Sequence, residues 1–202
     1  MDQRMAAHEP STPASDRREP TRPFLSWLQR TDERVFADIA GWHSPVGDAV
    51  LPRLSLAASY SRLWLAISVV LGLAGGHRAR HAVLEALLAV GVTSAVVNLA
   101  AKSATRRRRP TTAVPESRAL EHPTSSSFPS GHSASAAAFS SVIGRRLPSL
   151  GVPINTVAAS VAFSRVYVGV HYPGDVAVGW AIGRIVARLV TAVTHSIYEQ
   201  PR

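Results

Sequence analysis

Residues 147–194 read LPSLGVPINTVAASVAFSRVYVGVHYPGDVAVGWAIGRIVARLVTAVT, and the alternation inside this stretch decides the fold. Leu147–Ser164 carries no charge, and Val176–Thr194 is interrupted only by Arg184 and Arg188. Between them a short connection holds Gly169, Pro173 and Gly174, residues that turn a chain. The pattern predicts two apolar helices joined by a tight polar turn. Neither is a clean apolar run of the ~20 residues that one bilayer crossing needs.

Working outward, three more segments share this character. Leu63–Gly76 is uncharged and extends back past Arg62 to about Leu54; Ala86–Ala101 is uncharged; Ser133–Gly144 is rich in small residues. Ala, Gly and Ser let membrane helices approach closely. The expectation is an all-α, polytopic membrane helical bundle of about five transmembrane helices. Phe24–Trp42 differs, because Phe24, Leu25, Trp27, Leu28, Val35, Phe36 and Ile39 recur among charges at helical spacing. It reads as an N-terminal amphipathic interfacial helix, too charged to span. Residues 1–23 mix Pro, Ser, Thr and charges without periodicity and read as a disordered tail. The organisation is therefore a tail over 1–23, an interfacial segment over 24–53 and a membrane domain over 54–195.

The charge is uneven. Residues 1–48 hold six cations and eight acids, whereas residues 49–202 hold sixteen cations and five acids, a net of +11. A basic, acid-poor body points to an anionic partner. Arg78 and Arg80 follow the first candidate span, and Arg145 and Arg146 follow the third. The positive-inside rule places both pairs on the cytoplasmic side. The connections 102–130 and 171–175 then face outward. Five cations between Lys102 and Arg109 break that rule and require a local reason. With no aromatic interleaving and apolar helices on both flanks, the Arg106–Arg109 run is not read as a nucleic-acid patch. Arg106, Arg107 and Arg108 read as lipid-headgroup contacts or a solvated face. Trp27, Trp42, Trp64 and Tyr60 read as interfacial anchors, and Arg184 and Arg188 as snorkelling cations. The chain has no Cys, which excludes disulfides and thiolate metal sites.

Three stretches meet on the outward side: Lys102–Pro110 (KSATRRRRP), Phe128–His132 (FPSGH) and Ser164–Asp175 (SRVYVGVHYPGD). Lys102, Arg109 and Arg165 can clamp a phosphate, Arg through its planar fork and Lys as a point charge. Ser130 and Gly131 open a helix, whose free N–H groups and dipole favour an anion, and Gly131 lets the backbone come close. Asp175 follows His171 by four residues, within reach of its imidazole. A carboxylate there fixes the tautomer and leaves the other ring nitrogen as nucleophile, by the logic of Ser-His-Asp sites. His171 is therefore the nucleophile, Asp175 its orienter, and His132 the general acid for the departing oxygen. His122 is the further histidine of interest, because the 111–128 loop lies over the predicted site.

K-x6-R-P at Lys102, Arg109 and Pro110, P-S-G-H at Pro129–His132, and S-R-x5-H-x3-D at Ser164, Arg165, His171 and Asp175 are complete and in order. They resemble the three signature motifs of the type 2 phosphatidic acid phosphatase (PAP2) superfamily, and the chain looks like a bacterial, actinobacterial-type membrane member. The resemblance implies a helical membrane fold and hydrolysis through a phosphohistidine on His171, with no metal and no cofactor. It also implies that Ser130 and Gly131 join the basic residues in holding phosphate. The implied substrate is a lipid phosphomonoester or diphosphate of the phosphatidic acid or polyprenyl type, taken from the bilayer. The implied location is the cell membrane, with the site extracytoplasmic. No nucleic-acid partner is expected, and the residues do not indicate an oligomeric state. Two alternatives share the fold: a vanadate-dependent haloperoxidase, and a non-catalytic lipid-phosphate binding or transport protein.

Overall fold

The computed structural model describes residues 23–101, 107–111, 114–120 and 124–198. The tail read over 1–23 lies outside them except for Pro23. Every regular element in the described residues is a helix. In chain order these are α1 (Pro23–Gly41), α2 (Pro45–Ala57), a 3-10 turn (Ser59–Ser61), α3 (Arg62–Ala74) and α4 (His77–Ala95). A π-helical turn (Val96–Ala101) prolongs α4. After the long connection come α5 (Gly131–Arg146), α6 (Gly151–Tyr167) and α7 (Pro173–Tyr198).

Helix α5 is the hub, packing on α4, α6 and α7. Half of its sixteen residues are Ala or Ser, and residues 133–140 are buried without a break. Small side chains on every face let three neighbours approach one axis. The closest approach is to α7, where Gly179 and Gly183 stand one helical turn apart. A Cβ added at Gly179 would lie 2.3 Å from the Ser130 carbonyl oxygen, and one at Gly183 only 2.1 Å from that of Ala134. Only glycine admits this crossing, the small-xxx-small contact of membrane helices. Gly183→Ala is accordingly expected to push α5 and α7 apart at a cost of about 1–3 kcal/mol. A lowered melting temperature in detergent, set against a Gly72→Ala control whose Cβ meets nothing, checks this.

The large apolar side chains point the other way. Leu84, Leu88 and Val92 on α4, and Ile185, Leu189 and Val193 on α7, are exposed at four-residue spacing. Small residues inside and large ones outside suit a lipid solvent, and contiguous exposed apolar rows of this kind mark a membrane surface. His77–Leu99 and Pro173–Ser196 are each long and apolar enough to cross a bilayer. Pro45–Ala57 with Ser59–Ala74, bent by 68°, makes a third if the pair is one broken span. The described residues are thus all-helical in their regular structure, with two or three candidate membrane spans by length and composition. Helices α3, α5 and α6 have 13, 16 and 17 residues, at or below the lower end of the ~17–25 residues that one crossing uses.

Several local expectations change. Arg78 and Arg80 lie inside the first turns of α4, so the connection there shrinks to Gly75 and Gly76. Trp64 is not an interfacial anchor. It is 1% exposed and packs on Phe139 at 5.1 Å between ring centroids, because the bend after α2 turns this face of α3 inward. Helix α1 does more than lie on a surface. Phe36 is buried and meets Tyr172 edge-to-face at 5.6 Å, seating α1 on the end of the bundle where α6 passes into α7.

Candidate active site

The turn between α6 and α7 sets the geometry. The amides of Val170 and His171 both donate to the Arg165 carbonyl, at 3.2 and 3.1 Å. Gly169 makes this possible by adopting φ +79°, the left-handed conformation that glycine enters without a Cβ penalty. The chain thereby folds back on the end of α6, which brings Arg165 and His171 to one cavity despite their six-residue separation. Asp175 sits in the first turn of α7, where its Oδ2 accepts from the Tyr172 amide at 3.0 Å. The Ser130 amide donates to the Asp175 carbonyl at 3.0 Å, joining the start of α5 to the start of α7.

Around this joint lies a cavity of about 690 Å³. Arg109, Gly131, His132, Arg165 and His171 line it, so the structure gathers residues from all three motif stretches. His171 is 3% exposed, and its Nδ1 is 3.5 Å from Asp175 Oδ2. On the other side of the ring, Arg109 Nη1 stands 3.4 Å from Nε2. A guanidinium has only donors, so Nε2 presents its lone pair and the ring proton sits on Nδ1, facing the carboxylate. That is the tautomer a nitrogen nucleophile requires. Burial, with the positive charges of Arg165 and Arg109, pushes the His171 pKa down to about 4 against the opposing pull of Asp175. His171 is therefore neutral at neutral pH.

The sign of the resulting stability effect follows from linkage. The native pKa of His171 lies below the ordinary 6.5, so the unfolded state takes up the proton first as pH falls. Its contribution to stability is complete above about pH 6.5 and is lost on the way down to pH 4. Melting temperatures of wild type and His171→Gln measured from pH 7 to 4 are expected to converge or cross, wild type losing more.

Arg165 is 4% exposed, and its Nη1 donates to Ser55 Oγ. Its Nε has no partner, and no carboxylate pairs with it among the described residues. A buried cation without a counter-charge is costly, so this cavity is built for an anion. Arg109 is half-buried and anchored by its bond to the Val170 carbonyl at 2.7 Å, with further contacts to Ser125 Oγ and the Ser126 carbonyl. Burial lowers its pKa from the ordinary arginine value, and the Asp175 charge opposes that. Ser130, the residue before α5, makes no side-chain cap, and its own amide is taken by Asp175. The first-turn amides of Gly131 and His132 thus stay without an intrahelical acceptor, while Ser130 contributes by position rather than by its N–H. His132 Nε2 is 3.4 Å from Ser59 Oγ. Lys102, Arg106 and His122 lie outside the described residues.

Arg107 overturns its reading as a headgroup contact or solvated face. Its Nη1 bonds Asp175 Oδ1 at 2.7 Å and its Nη2 bonds Asp32 Oδ2 at 2.6 Å, with the guanidinium 4.3 Å over the Tyr172 ring. Asp32 also accepts from the Gly174 amide at 2.7 Å. Burial acts to lower the Arg107 pKa, but the bond to Asp32 and the Asp175 charge outweigh it and raise it. Asp175 is thus held from two sides, by Arg107 and by His171. Ser55, Ser59, Asp32 and Arg118 were not legible as site-building residues in the sequence. Arg118 is fully buried, and its guanidinium caps the C-terminal end of α1 through the carbonyls of Ala40 and Trp42. An arginine in a polar loop and an aspartate on an amphipathic helix carry no local mark of such partners.

A helical bundle that gathers two arginines and a buried histidine beside a carboxylate around one cavity is suited to binding an anion. The chain belongs to the PAP2 superfamily, whose model matches residues 82–198, more than half of its length. It is 41% identical over 75 residues to decaprenylphosphoryl-5-phosphoribose phosphatase of Mycobacterium tuberculosis, an alignment covering 37% of this chain and 41% of that one. It is 36% identical over 94 residues to phosphatidylglycerophosphatase B of Bacillus subtilis, covering 41% and 46% respectively. The alignments therefore span less than half of these relatives' own lengths. Among solved structures, a transmembrane PAP2 type phosphatidylglycerolphosphate phosphatase from Bacillus subtilis superposes with a TM-score of 0.69. It is 27% identical and covers 87% of this chain and 90% of that one.

Proposed function

We propose that the chain is a membrane lipid-phosphate phosphatase that removes a phosphoryl group from a phosphomonoester or diphosphate lipid. The observation that carries the reading is the buried Arg165, without a carboxylate partner among the described residues, in the cavity that neutral His171 also lines. Arg109, Arg165, Lys102 and the amides of Gly131 and His132 hold the phosphate oxygens and stabilise charge that grows on them. Nε2 of His171 attacks phosphorus in line. The bond from phosphorus to the lipid oxygen breaks, and that oxygen takes a proton from His132. The phosphoryl group now rests on His171, whose Nδ1–H faces Asp175. Neutral His132 then removes a proton from water, the hydroxide oxygen bonds to phosphorus, and the N–P bond breaks to release inorganic phosphate. Both histidines return to their starting states.

The bundle is read as five crossings, by α3 with its α2 elbow, α4, α5, α6 and α7, with the histidine cavity on the extracytoplasmic side. Supporting this, Arg78 Nε donates to the Arg146 carbonyl at 3.0 Å, and Arg146 Nε bonds Glu85 at 2.7 Å. Arg78 at the start of α4 and Arg146 at the end of α5 thus meet at the end away from His132 and His171, as the positive-inside rule requires. The substrate class is tested by phosphate release from phosphatidic acid, phosphatidylglycerophosphate and a polyprenyl phosphosugar phosphate presented in mixed micelles. Release from at least one, inhibited by vanadate, is expected. Halide oxidation with vanadate and no phosphate release would instead support the haloperoxidase alternative.

Asp32 and Arg107 act in this scheme as positioning residues for Asp175. Arg107→Gln is expected to lower kcat by about 10–100-fold with little change in KM, the scale seen when a supporting partner of a functional group is lost. Arg107→Lys is expected to recover part of the loss. In a double-mutant cycle, Asp32→Asn and Arg107→Gln should be clearly non-additive, since one ion-pair network contains both. Additive effects would place Arg107 outside the site's support.

A further inference from the structure

We propose that the bundle carries a second anion site at the end away from His132 and His171, which takes a phosphate group between α5, α6 and α7. A polar cavity of about 390 Å³ lies there, walled by Ser141 and Arg145 of α5, Asn155 of α6, and Arg184 and Arg188 of α7. No acidic residue lines it. Ser141 is ten residues along α5 from Gly131, roughly 15 Å down the helix axis, so this cavity is separate from the histidine site.

Three features distinguish it from arginines that reach toward bulk headgroups. First, the positive charge is concentrated. Arg184, Arg188 and Arg146 all repel Arg145, and the acid within range, Glu85, already bonds Arg146 at 2.7 Å. Arg184 and Arg188 have no hydrogen-bond or ion-pair partner among the described residues. Second, Arg145 is fixed at the wall, because its Nη2 donates to the Ala187 carbonyl and to Thr191 Oγ1, both at 3.0 Å. A pre-positioned guanidinium loses less freedom when it binds. Third, the buried Ser141 hydroxyl has no hydrogen-bond partner among the described residues. A buried hydroxyl left unsatisfied is costly, and an acceptor in the cavity would satisfy it. Arg184 and Arg188 stand four residues apart on one face of α7, beside the exposed Ile185 and Leu189. Ionisable residues within an apolar helix of this kind mark a functional position.

The ligand chemistry is that of a phosphate: two or more anionic oxygens, matched to planar guanidinium forks and one hydroxyl donor. Its source is either the headgroup of an anionic phospholipid in the adjoining leaflet or free inorganic phosphate. The test uses the purified full chain in detergent, with binding followed by thermal shift and calorimetry. One arm titrates inorganic phosphate; the other compares nanodiscs of phosphatidylglycerol with nanodiscs of phosphatidylcholine alone. Ser141→Val, which leaves the charge unchanged, and Arg184→Lys/Arg188→Lys, which keeps charge but loses the fork, are set against wild type. The histidine cavity is common to all of them, so the difference isolates the second site.

At least a tenfold weaker affinity in Arg184→Lys/Arg188→Lys and a measurable loss in Ser141→Val are expected. If the loss shows in the phosphate arm, the ligand is the free anion; if it shows only in phosphatidylglycerol discs, it is a lipid headgroup. Equal binding by wild type and both variants would reduce the effect to bulk charge attraction and overturn the site, as would no binding in either arm. The readout is binding, and basal hydrolysis is expected to persist in both variants. Failure here is therefore distinguishable from failure of the phosphatase reading.

Discussion

His171→Ala is expected to lower phosphate release from a lipid phosphate by about 10⁴–10⁶-fold, the scale on which an enzyme loses turnover with its nucleophile. The imidazole is 3% exposed and stands between Asp175 and Arg109, so in this scheme its Nε2 is the nitrogen aimed at phosphorus. The residual rate would come from phosphate binding by the remaining arginines. Two measurements check this. Rapid quench with radiolabelled substrate should trap an acid-labile, base-stable phosphoprotein in wild type and none in the variant. The variant's melting temperature should stay within a few degrees of wild type at pH 7, which separates lost chemistry from lost fold. Turnover retained in His171→Ala would sink the mechanism.

His132→Ala is expected to cost about 10²–10⁴-fold on a lipid substrate, the usual contribution of a positioned general acid. The loss should depend on the leaving group. A lipid alkoxide is a poor leaving group without a proton, whereas p-nitrophenolate departs readily as the anion. With p-nitrophenyl phosphate the first step should therefore be nearly restored in His132→Ala. The phosphohistidine should then accumulate, because the same residue is needed to deprotonate water in the second step. A uniform loss across both substrates would assign His132 to phosphate binding instead.

These two residues show how unequally the site was legible in the sequence. The four-residue spacing of His171 and Asp175 anticipated the pair that the structure sets 3.5 Å apart. The FPSGH stretch anticipated a helix start, and α5 begins at Gly131. Both features are local, and turn and helix geometry act over a few residues. The run of arginines from 106 to 109 was read more coarsely. Arg109 lines the cavity, whereas Arg107, read as a headgroup contact or a solvated face, holds Asp175. Adjacent arginines in a connection have no periodicity to sort them. Which guanidinium turns inward depends on where α1 seats Asp32, 75 positions earlier in the chain.

The sequence by itself determined the helical class, the small-residue core, the three motif stretches and the chemistry they can support, because each rests on composition or on short-range spacing. Only the tertiary structure decided that Arg165 stands buried with no carboxylate among the described residues and that Asp32 and Arg107 secure Asp175. It alone showed Trp64 in the core, and it alone gathered Arg145, Arg184 and Arg188 around a second polar cavity. The physical reason is common to all of these. A charge or ring far from its partner in sequence acquires its environment only when helices cross, and α5 and α7 cross where Gly179 and Gly183 leave room.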